Sequence, residues 1–240
     1  MIKEHEFHTQ WWGMPVGLVT APRFFSRPSA EQAEMLARYA WAEFKSPPSS
    51  TPPVWDLLRA AFAQVDTQVN FHVALAAVPE PDDTGPLVLQ FADEIPFRLQ
   101  GGESRPFQYE RFWQLPGITP ARMDERQVLW ANRLIVESPN WCVRAVYGDA
   151  VQGWFLARPE KPGLNLTLAM LHREAVVSGA LFYQMAMRAF AARGARTGWA
   201  SFSIRNTAVH NIFSRLGARF KEPTGCWLWA RDRTPGRAGG

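Results

Sequence analysis

An α/β architecture, helices laid on a mixed α+β sheet, follows from three features of the sequence. Runs of helical periodicity alternate with runs of strand periodicity along most of the 240 residues. Hydrophobic residues make up 47% of the chain and charged residues only 20%, enough to bury a core and a composition that excludes a disordered chain. The third feature is GARTGWASFSIRNTAVHNIFSRLGARF (194–220), which reads as a strand, a polar junction, an amphipathic helix and a return strand. Asn206 stands where that helix begins, a short polar side chain able to accept bonds from the first turn's orphan N–H groups. Val209, Ile212, Phe213 and Leu216 then recur at i, i+3, i+4 and i+7, and Gly217 follows where a left-handed C-cap favours glycine.

The elements follow in chain order. WWGMPVGLVT (11–20) reads as a strand. AEQAEMLARYAWAEFK (30–45) reads as a helix with Met35, Leu36, Tyr39 and Phe44 among its apolar positions, and Ser29 with Gln32 fits a capping box. SPPSSTPP (46–53) is a loop, VWDLLRAAFAQ a helix, and VDTQVNFHVAL a strand in which Val65, Thr67, Val69, Phe71 and Val73 alternate. EPDDTGP (80–86), acidic and rich in turn formers, is the expected linker. It divides an N-terminal accessory α/β domain (1–80) from a second domain (87–230), and RDRTPGRAGG (231–240) is expected to be a disordered basic tail. PLVLQFADE reads as a strand. GGESRP and QLPGITP are loops ahead of a helix over 122–135. WCVRAVYGDAVQGWFLARP is a hairpin turning at Gly148-Asp149. LNLTLAML (164–171) is a strand with Leu164, Leu166, Leu168 and Met170 on one face. A helix over 179–193, the strand TGWASFS, a helix over 207–216, and RFKEPTGCWLWAR, a strand with a turn inside, complete the chain. No internal repeat is present.

The net charge is +4, and the last ten residues, with three arginines and one aspartate, supply half of it. The remaining body shows no clustered basic stripe, so no nucleic-acid partner is expected, while a mildly positive field suits an anionic cofactor or nucleotide substrate. Cys142 and Cys226 lack zinc or redox spacing and sit among apolar residues, so two reduced core thiols and no metal are expected. MIKEHEFHTQWW lacks the apolar run of a secretory signal, and no stretch approaches eighteen apolar residues. A cytoplasmic protein with no membrane partner is expected.

The Asn206–Phe220 segment resembles the closing segment of the GNAT acyltransferases, "N-x-x-A-…-hydrophobic-x-x-x-LGF". The order after residue 86, strand, helical region, hairpin, strand, helix, strand, helix, strand, is that family's order. W-W-G-M-P-V-G and LLRAAFAQVDTQVNFHVAL look like the N-terminal domain of the dTDP-fucosamine acetyltransferases and their relatives. The resemblance implies a GNAT-like domain over 87–230. It implies acyl transfer, in most such enzymes acetyl transfer, from acetyl-CoA or another acyl-CoA to a primary amine of a small molecule, with a nucleotide-linked amino sugar as one acceptor class. The alternative is a GNAT-fold binding or structural module without transfer. The oligomeric state stays open, a dimer included.

Such a reaction needs the cofactor pyrophosphate held, the amine neutral, an oxyanion donor and a proton for the leaving thiolate. The resemblance places the pyrophosphate on a loop of pattern Q/R-x-x-G-x-G/A opening a helix, here REAVVSGALF (173–182). Gly179 then takes the last Gly/Ala position, Val177 the first Gly and Glu174 the Q/R; the last two depart from the pattern. Leu171, His172, Val177, Ser178, Gly179 and Ala180 are the cofactor-binding candidates from this strand end and loop. A one-residue slip would make Arg173 the cation. Asn206 joins them, as a helix cap alone or as a cap that also touches the cofactor. Phe213 stands where the family commonly has a tyrosine that protonates the thiolate, which phenylalanine cannot do; Ser203, Ser214 or water would replace it. For the proton on the amine the candidates are His172, after LNLTLAML, and His210, on the polar face of the last helix; a structural or solvated histidine is the other reading of each. Tyr147 and Asp149 lie beside the hairpin turn. The tryptophans 141, 154, 199, 227 and 229 read as core packing or as platforms for a sugar or base.

Overall fold

Ten strands and six helices alternate along the described residues, 1–233, of the computed structural model. In chain order they are β1 (Ile2–Glu4), α1 (Glu6–Trp12), β2 (Val16–Val19), α2 (Ser29–Leu36), β3 (Trp41–Ser46), α3 (Val54–Arg59), β4 (Ala63–Ala74), β5 (Leu87–Phe91), α4 (Pro120–Glu137), β6 (Cys142–Tyr147), β7 (Ala150–Glu160), β8 (Gly163–Leu171), α5 (Gly179–Ala192), β9 (Thr197–Ser203), α6 (Thr207–Arg215) and β10 (Arg219–Ala230). Two compact units interleave along the chain. One takes residues 1–69, 109–119 and 222 onward, the other 70–108 and 120–221. The linker candidate Glu80–Pro86 therefore lies inside the second unit, and β4 and β10 each contribute to both.

In the first unit β2 runs parallel to β3, and β10 pairs antiparallel with β3 from Gly225↔Ser46 to Ala230↔Trp41. Its core gathers Phe24, Phe25, Tyr39, Phe44, Leu57, Phe62, Trp227 and Trp229. Here several sequence expectations are corrected. Trp11 and Trp12 end α1 rather than begin a strand, because Gly13 at φ 75° turns the chain and gives its N–H to the Thr9 carbonyl; only Val16–Val19 is strand. The helix expected over 30–45 stops at Leu36, and Trp41–Ser46 is β3. Trp41, Ala42, Glu43 and Phe44 are all buried; a strand flanked by β2 and β10 buries both its faces, which one side of a surface helix cannot do. No capping box forms. Pro28 is the N-cap without a side-chain bond, and the Gln32 amide turns back to donate to the carbonyls of Phe24, Phe25 and Arg27, each at 3.1 Å. β10 runs through Pro223-Thr224-Gly225 without the expected turn. Arg231–Arg233 form a 3-10 turn, and the Arg231 guanidinium donates to Ala37 O (2.7 Å) and Tyr39 O (3.0 Å). The rest of the expected tail, 234–240, lies outside the described residues.

In the second unit the strand order is β4-β9-β8-β7-β6-β5. β5 to β8 pair antiparallel, and β8 with β9 parallel. Trp154 and Leu156 on β7 face a cluster with Ala131, Leu134 and Ile135 of α4, while Phe155 between them faces Phe182, Met187 and Phe190 of α5 and Phe213 of α6. The sheet is thus covered by α4 on one side and by α5 and α6 on the other. Leu164, Leu166, Leu168 and Met170 are all buried, but not on one face. Leu164 and Leu166 belong to the α5/α6 cluster, Leu168 and Met170 to the α4 cluster. The β7–β8 register explains the change: Leu156 pairs with Leu168 and Arg158 with Asn165, so β8 carries one residue more than β7. An extra residue reverses the facing of everything beyond it.

Both cysteines are free and buried. Burial pushes the Cys142 thiol up to about 12 and the Cys226 thiol to about 11. Among the described residues no helix is long and apolar enough to cross a membrane.

Candidate functional site

The site grows from the way β8 and β9 part. Their parallel ladder holds only two positions, Leu164↔Gly198 and Asn165↔Trp199. Two glycines let the backbones meet there. A Cβ on Gly163 would stand 2.4 Å from the Thr197 carbonyl oxygen, and one on Gly198 would stand 2.8 Å from Leu166 Cδ1. Directly afterwards the β8 bulge intervenes, and a bulge bends its strand. The β8 edge from Leu166 to Leu171 therefore runs on toward its C-terminus without a ladder to β9.

Past Leu171 the chain enters the loop that opens α5, and its backbone donors can be accounted for one by one. The His172 N–H goes to Gln152 O (2.8 Å), Arg173 to Glu103 O (2.8 Å) and Ala175 to His172 O (3.1 Å). Glu174 N–H goes to His172 Nδ1 (3.1 Å) and Val176 N–H to Gln152 Oε1 (2.9 Å). Ser178 is the N-cap of α5, and its Oγ accepts from Leu181 N (3.2 Å). The N–H groups of Val177, Ser178, Gly179 and Ala180 make no hydrogen bond to any described residue. Four consecutive free donors at the positive end of a fourteen-residue helix form an anion cradle. Leu171 and Ile212 flank it: their Cδ1 atoms would lie 3.8 and 3.7 Å from a Cβ on Gly179. Val177 packs its side chain against the core cluster, so its Cβ does not project over the cradle.

Residues that sequence reasoning passed over position this loop. Arg105, read only as part of a loop, gives its N–H to Leu171 O (3.0 Å), and its guanidinium donates to Ala175 O (3.0 Å). Its neighbour Ser104 bridges to His172. Helix α4 anchors the segment: Asp124 accepts from Gly102 N at 2.9 Å, Ser104 Oγ lies 3.3 Å from Gln127 Oε1, and Asn132 exchanges two bonds with the Leu99 backbone. The Arg173 guanidinium lies over Gly102, where a Cβ would stand 3.0 Å from Nη2. Two cations, Arg105 and Arg173, thus lie beside the loop, and both are exposed, as is Glu174. No local signal marks Arg105 or Gln152, since their partners lie about 70 and 20–24 residues away along the chain.

Helix α6 closes the site. Asn206 caps it, its side chain accepting from Val209 N (3.2 Å). Phe213 is buried with its ring centroid 4.0 Å from that of Phe71 and 5.5 Å, at 72°, from that of Tyr183. The His210 ring lies tilted against Phe220, with ring centroids 4.6 Å apart. Because His172 Nδ1 accepts the Glu174 N–H, its proton sits on Nε2 in the neutral ring, leaving that nitrogen no lone pair for a base. Ser203 is buried, and its Oγ accepts from Arg205 N (3.3 Å); Ser214 is exposed. Trp154, Trp227 and Trp229 are core residues, and Trp199 donates its indole N–H to Glu160 O (3.1 Å). Tyr147 lies exposed at the hairpin.

No family model matches the chain, and no curated protein matches it. Its fold is similar to that of a GCN5-related N-acetyltransferase from Sphaerobacter thermophilus (16% identity, TM-score 0.59, 98% of this chain and 76% of that one). It is also similar to a GCN5-related N-acetyltransferase from Kribbella flavida (13%, 0.51, 89% and 80%). A third similar structure is a tandem GNAT protein from the clavulanic acid biosynthesis pathway, solved without acetyl-CoA (10%, 0.53, 93% and 77%). At these identities the likeness is one of fold: a mixed sheet with six helices, as in the GNAT acetyltransferases.

Proposed function

We propose that this chain is a cytoplasmic N-acyltransferase that moves an acyl group from acetyl-CoA, or another acyl-CoA, to a primary amine of a small molecule. The observation that carries the reading is the run of four free N–H groups at 177–180 beside the open edge of β8. A cofactor with a pyrophosphate and an amide-bearing arm asks for those two features. Val177, Ser178, Gly179 and Ala180 would hold the phosphates, with Arg105 and Arg173 as the cations that the Glu174 position lacks. The unladdered β8 edge would meet the arm's amides as a neighbouring strand does, and Leu171, Asn206 and Ile212 would flank it.

In the transfer, the neutral amine attacks the thioester carbonyl, and the C–S bond breaks with its electron pair on sulfur. With His172 Nδ1 engaged by the Glu174 N–H, water takes the amine's proton in this reading. Neither cysteine serves as an acyl-carrying nucleophile, because burial holds both thiols protonated near neutral pH. The acyl group therefore passes directly to the amine. A nucleotide-linked amino sugar is the acceptor class favoured by the first-block resemblance.

The test is a thermal shift with acetyl-CoA, followed by thiol release and product mass over a panel of primary amines. A shift with turnover supports the transferase. Phe213 favours a second reading, binding without transfer, and a shift with no thiol release on any amine would establish it. No shift and no release would refute both.

A further inference from the structure

Helix α1 is capped by a side chain that titrates. His5 is its N-cap, with φ −99° and ψ 91°, and its Nδ1 accepts the His8 N–H at 3.4 Å. An imidazole accepts such a bond only while neutral, because protonation puts a hydrogen on both ring nitrogens. The usual caps, Ser, Thr, Asn and Asp, keep their acceptor in mild acid. The His5 ring also stacks on that of His8, with centroids 3.9 Å apart and planes at 28°. Beyond this turn α1 carries Trp11 and Trp12, whose rings meet Trp41 edge-on at 6.4 and 6.0 Å. Two ties of the segment do not titrate: the His5 N–H goes to Val16 O (2.8 Å), and the Val16 N–H to Thr9 Oγ1 (3.0 Å).

We propose that α1 is released by mild acid: protonation of His5 removes the acceptor at Nδ1, sets a positive charge at the helix's positive end, and frees its first turn, loosening Trp11 and Trp12 from Trp41. The groups around the ring fix the direction. On its own segment stand exposed Glu4 and Glu6 and the stacked His8. From β3 come Glu43 and Lys45, and from the 3-10 turn Arg111–Gln114 comes Arg111. Burial weighs most against the cation, and Lys45 and Arg111 repel it. Glu43 attracts it, but both carboxylate oxygens are held by Arg111. The ring is therefore held below its usual 6.5. With the folded value below the unfolded one, the neutral cap stabilises fully above pH 6.5 and is lost as the pH falls through the folded value. Glu43 keeps its charge down to about 2, so α1 opens at a higher pH than the one that breaks the Glu43–Arg111 pair. The opening is local, with the ties to Val16 still made.

The test is amide exchange across α1 in the full chain, followed by NMR from about pH 7.5 to about pH 4.5 and corrected for the intrinsic pH dependence of exchange, together with the His5 ring resonance. Protection in α1 is expected to fall by about 2- to 30-fold, the range a capping side chain is worth. Its midpoint should coincide with that of the His5 ring, below 6.5, while protection in β3 holds. His5→Asn, whose amide oxygen caps at every pH, should keep α1 protected throughout. His5→Phe, which keeps a ring to stack but has no acceptor, should show low protection at both ends of the range. Protection that does not fall in the unaltered protein, a His5 midpoint at or above 6.5, or an Asn variant that loses protection as the unaltered protein does overturns the proposal. If a variant fails to fold, the unaltered protein decides alone: α1 and the His5 ring share one midpoint, or the proposal falls.

Discussion

Replacing Gly179 by proline deletes one donor of the cradle and leaves the helix in place. Gly179 is the first residue of α5, the position where proline is best tolerated. Ser178 before it is already extended, φ −72° and ψ 141°, as a residue preceding proline must be. A Cβ on Gly179 meets only Ile212 Cδ1 at 3.7 Å and Leu171 Cδ1 at 3.8 Å, ordinary contacts. The N–H that proline lacks makes no bond to any described residue. The free protein is therefore expected to be unchanged, or up to about 1 kcal/mol more stable through the stiffer unfolded chain, a rise of at most about 4 °C. Binding behaves oppositely. A hydrogen bond to a charged group is worth about 1.5–3 kcal/mol, so acetyl-CoA affinity falls by about 10- to 150-fold. At a concentration one hundred times the unaltered protein's Kd, that protein gains about 2.7 kcal/mol, and the variant gains only about 0.3–1.4 kcal/mol. Calorimetry and melting with and without acetyl-CoA read both effects. An unchanged Kd refutes the placement of phosphate on these donors. A free variant that melts well below the unaltered protein refutes the reading of the helix start.

Three further outcomes are expected. Arg105→Gln weakens acetyl-CoA binding, more at low ionic strength than at high, whereas Glu174→Gln strengthens it by several-fold, since the exposed carboxylate repels the phosphates by no more than about 1 kcal/mol; titrations at two salt concentrations check both signs. Val177→Gly loses about 1–2 kcal/mol of folding stability from the packed side chain with acetyl-CoA affinity nearly unchanged, read by urea unfolding and calorimetry. In the first unit, burial alone would push the Glu43 carboxyl up, but Arg111, which it grips with both oxygens, and Lys45 hold it at about 2, below 4.5. A folded value below the unfolded one means the pair stabilises fully above pH 4.5 and is lost as the pH falls toward 2. Glu43→Gln should cost about 3–5 kcal/mol at pH 7 and flatten the acid limb, seen by unfolding at pH 7 and pH 3.

Much of the site's scaffold was legible because its signals are local. Asn206 caps α6 and Gly217, at φ 75°, ends it, and each cap is completed within a turn or so of chain. The alternation of Val69, Phe71 and Val73, all buried on β4, needs only a period of two. The start of α5 at Gly179 follows from the same kind of short-range cue. Only the tertiary structure decided the rest. Trp41–Ser46 has the composition of a helix and becomes β3 because neighbouring strands bury both of its faces. Leu166 and Leu168 keep a strand's spacing in sequence but face opposite cores, because the bulge is defined by the register of β7. Arg105 reaches the Ala175 carbonyl ahead of the cradle, and Glu43 finds Arg111, across 70 and 68 residues of chain. Periodicity and capping are read over a few residues. Charge partners and strand neighbours depend on segments that meet only once the chain has folded.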